Sequence, residues 1–170
     1  MKSMKYFVTA LFVFIGMSAF AQELKFGHID VQKLITELPE KIEADKALQK
    51  EATNLQNNLK VMSEDLDKKY TEYMAQRDTL PELIRVTKEK EIQDYDQRIR
   101  NFSTLAQQNL QQKEQQLLQP IIEKAQKAID EVGAEQGLIY IFDVSSKVVI
   151  YHSAKSMDCE PLVKAKLGVK

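Results

Sequence analysis

The chain has 170 residues, with 24 basic and 25 acidic side chains, five glycines and one cysteine. This near balance of charge excludes the strongly basic surface by which a protein grips nucleic acid or an anionic bilayer. A single cysteine excludes an intramolecular disulfide, so stability must come from the chain's own core or from partner chains.

At the N-terminus, Lys2 and Lys5 precede an apolar run from Tyr6 that closes on Ala19-Phe20-Ala21, with small residues where a signal peptidase reads them. The pattern predicts an export signal over residues 1–21, cleaved near Ala21, because the run is too short for a membrane span. No cysteine follows it, which argues against a lipid anchor. Removing Lys2 and Lys5 leaves 22 basic against 25 acidic residues, a net charge of −3 for a mature chain beginning near Gln22.

Residues 24–31, LKFGHIDV, place apolar Leu24, Phe26 and Ile29 in a segment that reads as a first strand. After it, no glycine occurs between Ile29 and Val132. Periodicity explains that long stretch. Leu48, Ala52, Leu55, Leu59, Met62 and Leu66 recur at spacings of 4, 3, 4, 3 and 4, and the same seam reaches Tyr73 past a polar Lys69. Ile92, Tyr95, Ile99, Phe102 and Ala106 follow at 3, 4, 3 and 4. Two such runs predict two helices packed along a heptad seam. Between them, Thr79 and Glu82 match a capping box and Pro81 suits a first helical turn, so the chain should reverse there and a new helix begin at about Leu80. Helices of roughly 40 to 50 residues would be about 60 to 75 Å long, well beyond any core this chain could build.

The tract AQQNLQQKEQQLLQPI, residues 106–121, continues the returning helix. Its glutamines suit a helix and fill the faces beside an apolar stripe through Leu110, Leu117 and Ile121, and Pro120 predicts a kink or break near the base. Beyond it, Gly137–Val144 and Lys147–Tyr151 are rich in branched and aromatic residues and read as a hairpin turning at Ser145-Ser146. Asp158 is placed to cap a short last helix that packs through Leu162, Val163 and Leu167 and stops at Gly168.

The fold class expected is therefore α+β. Residues 22–38 and 133–170 form a small, discontinuous strand-containing body, and 39–132 form a long antiparallel helical coiled-coil arm with its tip near 79–88. Three short strands leave exposed edges, which points to self-association through the body. Phe26, Ile29, Ile139, Ile141, Val149 and Tyr151 are the residues expected to build and join bodies. Leu48, Leu55, Leu59, Met62, Leu66, Ile92, Tyr95, Ile99 and Phe102 are expected to pack the arm.

No catalytic constellation is evident. His28 and His152 end up close only if their segments neighbour each other, and with Asp30 and Asp143 they are more simply strand-end polar residues than a zinc site. Cys159 has no histidine or second cysteine near it in sequence and is expected to be inert. There is no glycine-rich phosphate cradle. The chain is thus expected to be no enzyme and to need no metal or cofactor. Long arms instead suit a binding device, with Tyr70, Met74, Leu83 and Ile84, which lie off the seams or near the tip, as the residues expected to touch a client.

Three stretches resemble the Skp family of periplasmic chaperones, also called the OmpH family. They are LKFGHIDVQKLITELPE (24–40), LQQKEQQLLQPIIEKAQKAIDEVGAEQGLIYIFD (110–143) and DCEPLVKAKLG (158–168), the last through Asp158, Val163 and Leu167. The resemblance implies a jellyfish-like homotrimer in the periplasm. Its strands would form a small barrel-like body, and its three arms would enclose unfolded outer membrane β-barrel proteins without ATP. Family members with strongly basic arms suit acidic clients and lipopolysaccharide. Here residues 37–131 hold 15 basic and 19 acidic side chains, net −4, so lipopolysaccharide binding is not expected. The competing class is an exported coiled-coil spacer or adaptor of the envelope.

Overall fold

The computed structural model describes residues 24–169; the export signal and its cleavage near Ala21 lie outside the described residues. Strand β1, Phe26–Ile29, buries Gly27 and Ile29 on one face. The expected strand ran on to Val31, but Asp30 ends it. Its carboxylate accepts the Lys33 N–H at 2.8 Å and starts a helix, α1 (Val31–Glu37), that was not anticipated. Leu38 is extended, as a residue before proline prefers, and Pro39 opens the next helix.

Helix α2, Pro39–Gln76, has 38 residues and is about 57 Å long. Helix α3, Glu82–Gln136, has 55 residues and is about 82 Å long. They run antiparallel, because contacts from base to tip join Lys124 to Glu40, Tyr95 to Asp65 and Tyr73 to Glu89. The capping box does not form. Thr79 instead bonds the Gln76 carbonyl at 2.8 Å, closing the end of α2, and α3 starts two residues later than expected with Pro81 as its N-cap. Pro120 does not break α3, which continues through it; only the one backbone bond that proline cannot donate is lost.

Gly137 ends α3 in a left-handed conformation, φ 63°, with its N–H on the Ala134 and Gly133 carbonyls. Strand β2, Tyr140–Asp143, then pairs in parallel with β1, from Phe26 opposite Tyr140 to Ile29 opposite Asp143. Strand β3, Met157–Asp158, pairs in parallel with the other edge of β1, so the order is β2-β1-β3.

The expected hairpin is thus overturned. The Asp143 carboxylate accepts the Ser145 N–H at 2.9 Å, the Ser145 hydroxyl at 2.8 Å and the Val31 N–H at 3.3 Å. That clamp, with Lys147 at φ 57°, turns the chain away from the free edge of β2. Among the described backbone hydrogen bonds, none involves residues 147–152. This branched and aromatic segment forms no strand within one chain, and Ile150 is 96% exposed.

Helix α4, Glu160–Leu167, begins with the Glu160 N–H donated to the Asp158 carboxylate at 3.0 Å and ends at Gly168, φ 73°. The core gathers Ile29 of β1, Leu34 of α1, Val132 of α3, Val163 of α4 and Cys159. Ala125 and Ala128 are small enough for α3 to lie close against these elements. Next to it, Leu38, Ala44 and Ile121 close the base of the helical pair, so the packed body draws in α3 well before residue 133. Glu160 bridges Lys33 at 2.8 Å and Lys164 at 2.7 Å, and Lys164 also reaches Glu37. These rim pairs orient α4 on α1 more than they stabilise it.

Two outcomes follow from the body. A Cβ on Gly27 would lie 2.5 Å from Cys159 Sγ and 2.9 Å from Leu138 Cδ1, so Gly27→Ala should cost about 1–3 kcal/mol in chemical denaturation. Burial pushes the Asp143 carboxyl up, but the Ser145 and Val31 donors together hold it below the ordinary aspartate range. Its contribution is therefore complete above that range and lost as pH falls through it. Asp143→Asn should cost about 1 kcal/mol at neutral pH and flatten the acid limb of the stability curve.

Candidate functional site

Seam positions on α2 and α3 set which side chains the arm leaves free. Leu48, Leu55, Leu59, Met62 and Leu66 of α2, and Ile92, Tyr95, Ile99 and Phe102 of α3, are all half-buried between neighbours that are mostly exposed. Ala106 and Tyr73, on the same seams, are buried. Tyr95 is also flanked by cations, with Lys69 Nζ 5.8 Å and Arg98 5.4 Å from its ring centroid.

Near the tip, Tyr73 donates its hydroxyl to Glu89 and pins α2 to the first turns of α3. The bond to that carboxylate pushes the phenol pKa up, and burial adds to the shift. Around this clip the expected client residues stand open. Tyr70, Met74 and Ile84 are each about half exposed, and Leu83 is 77% exposed. Tyr70 and Met74 lie one turn apart on α2, and Leu83 and Ile84 lie in the first turn of α3, so the structure gathers all four toward the arm's far end. Val86, one turn beyond Leu83, and Val61, midway along α2, are exposed too and were missed. The signal was available, since neither falls on a seam position.

Some charges on the arm are matched within a helix: Lys41 with Asp45, Lys60 with Glu64, Arg85 with Glu82 and Arg100 with Asp96. Such pairs leave little net field to draw a ligand from a distance.

A second unpartnered surface lies on the body. Of the residues expected to build it, Ile29 is buried, Ile141 and Val149 are half-buried, and Phe26, Ile139 and Tyr151 are exposed. Phe26 stacks on Tyr140 with ring centroids 6.4 Å apart, and Phe142 lies 6.3 Å from Phe26 and 5.9 Å from Tyr140. This aromatic group faces water on a three-stranded sheet whose outer edges have no partner among the described residues. Beside it, a groove of about 750 Å³ runs between β1 and residues 149–156. His28 and His152 do meet on its wall, with ring centroids 3.9 Å apart, although no group of three or more metal-ligating side chains forms among the described residues. Cys159 is fully buried, and burial together with the adjacent Asp158 carboxylate pushes its thiol pKa up, opposite to what a nucleophile needs. Among the described residues, no helix is long and apolar enough to cross a membrane.

A family model described as outer membrane protein (OmpH-like) matches residues 25–167. A crystal structure of a candidate OmpH-like outer membrane chaperone from Caulobacter crescentus CB15 aligns with a TM-score of 0.75, at 15% identity, over 87% of this chain and 86% of that one. At that identity the alignment speaks to the fold. No curated protein matches the chain.

The tip clip can be tested directly. Tyr73→Phe should raise amide hydrogen exchange in residues 70–90 several-fold while leaving exchange in the body unchanged. Because the bond needs the phenol proton, which the folded state retains to higher pH than the unfolded state, wild-type tip protection should fall as pH rises into the alkaline range.

Proposed function

This chain belongs to the OmpH-like outer membrane protein family, and from that premise we propose that it is a holdase that encloses unfolded outer membrane β-barrel proteins between helical arms. A general periplasmic chaperone function accords with the family, and such chaperones are not catalytic. The finer reading has three parts: a homotrimer joined through the body, a client held between three arms, and release without ATP for assembly in the outer membrane.

One observation carries the reading. The helical pair extends far beyond its own core, and near its end Tyr70, Met74, Leu83 and Ile84 are left open to solvent when neither helix needs them for packing. A spacer has no use for such side chains, which cost solubility and add nothing to the seam. For a holdase they are the working surface. Many weak apolar contacts, presented together, hold a chain by high effective concentration while each one reverses quickly. Release then needs no nucleotide, only a client that buries the same residues better elsewhere.

The body supports the trimer. Exposed Phe26, Tyr140 and Phe142, and the unpaired Val148, Ile150 and Tyr151, form an apolar surface that a single chain leaves wet. Copies that cover it would also bring their arms to surround one space. The arm's net charge of −4 weighs against lipopolysaccharide as a partner.

The test replaces Tyr70, Met74, Leu83 and Ile84 together with serine. The variant should keep the wild-type mass in solution yet lose most of its ability to suppress aggregation of a urea-diluted β-barrel protein. Unchanged suppression at equal concentration would overturn the assignment of these residues, and absence of suppression in the wild type would favour a spacer.

A further inference from the structure

We propose that the stacked pair His28–His152 is a pH-sensitive latch, which holds the strap of residues 147–156 against β1 and lets go when both imidazoles are protonated. The strap has little else to hold it. Among the described residues, the backbone of residues 147–156 makes no hydrogen bond to the sheet; the chain rejoins it at β3, where Met157 and Asp158 pair with Gly27 and His28, and at Cys159, whose N–H reaches the His28 carbonyl at 2.9 Å. The bonds from Ser156 and Lys155 to Ser153 are internal to the strap. What ties it to β1 is the imidazole stack at 3.9 Å, the bond between Ser156 Oγ and His28 Nδ1 at 3.0 Å, and apolar contact along the groove.

The charges that line the groove are one-sided. The groove is lined by Lys25 of β1's approach and Lys155 of the strap, with the Tyr151 phenol, and by no carboxylate. On β3, Asp158 is the register partner of His28, but its carboxylate takes the Glu160 N–H. On β2, the register partner is the apolar Phe142, and the carboxylate of Asp143 next to it is committed to Val31 and Ser145. One proton on the pair is tolerated, since Ser156 Oγ can accept from a protonated His28. A second proton places two cations face to face in a groove that Lys25 and Lys155 also line, and the Asp158 carboxylate on β3, outside that lining, offsets them only in part.

Histidine changes charge between about pH 5 and 8, so this is the range in which the latch works. Docking of the strap is complete at the upper end and is lost as pH falls. His152 is exposed, so solvent screens the repulsion. The effect is accordingly a change in strap position and leaves the fold intact. The strap carries Val148, Ile150 and Tyr151, so its release would loosen assembly; that consequence rests on the body-to-body association proposed above, whereas the latch itself does not.

The experiment follows the imidazole and strap amide signals of the mature chain by NMR from about pH 8 to pH 5. The amides of Val148, Val149 and Tyr151 should shift together as pH falls over this range, in step with the imidazole signals of His28 and His152. In His152→Gln, and separately in His28→Gln, the strap shifts over this range should vanish while helical circular dichroism stays at the wild-type level. Strap amides that keep the wild-type pH profile in both variants would overturn the latch. Sedimentation of the same samples separates the two readings: a chain monomeric at every pH contradicts the proposed assembly, and the strap signals still decide the latch.

Discussion

Segments from both ends of the described chain meet on one short strand. The four residues of β1 pair in parallel with β2 on one edge and β3 on the other, and the helical excursion of more than a hundred residues leaves and returns beside it. Parallel pairing demands a long crossover, and here the crossover is the arm itself. The register of β1 therefore decides where the arm is rooted. Gly27 makes the junction close enough for Cys159 and Leu138 to pack over the strand, and the Asp143 carboxylate locks the end of β2 to the start of α1.

From that root the division of labour follows. The base of α3, with its small Ala125 and Ala128, serves the body, whereas further out only the mutual seam of α2 and α3 holds the pair together. A two-helix seam buries part of each helix circumference and leaves the rest to solvent. Polar and internally paired side chains fill most of that remainder. The apolar exceptions, among them Val61, Val86 and Leu105 as well as Tyr70, Met74, Leu83 and Ile84, are where the pattern departs from simple solubility, and the last four are the basis of the holdase reading.

Much of the helical architecture was legible in the sequence, because the 3-and-4 spacing from Leu48 to Phe102 is a local signal that tertiary context did not override. The same is true of Gly168, whose left-handed conformation ends the last helix, whereas Gly137 was read as the start of a strand and instead ends α3. The sheet was less legible. Lys147–Tyr151 has strong strand chemistry, but strand chemistry states only that a partner is wanted, and one chain does not supply it. Pairing partners distant in sequence, such as Gly27 with Met157, leave no periodic trace. Helix α1 was hidden by its length of seven residues, although Asp30 was a readable cap. At the tip, Thr79 had two options for its hydroxyl and closed α2 rather than opening α3. The candidate client residues were found by elimination from the seam, and Val61 and Val86 were overlooked although the same elimination applies to them.

In the proposed function, the exposed strand-like segment and the exposed arm residues are served by one arrangement, in which several copies assemble at the body and share the space between their arms. The mass of the mature protein in solution, measured alone and again after dilution of one unfolded β-barrel protein into it, tests that arrangement most directly. The account predicts three chains alone and three chains plus one client after mixing. A monomer that gains no client would contradict it.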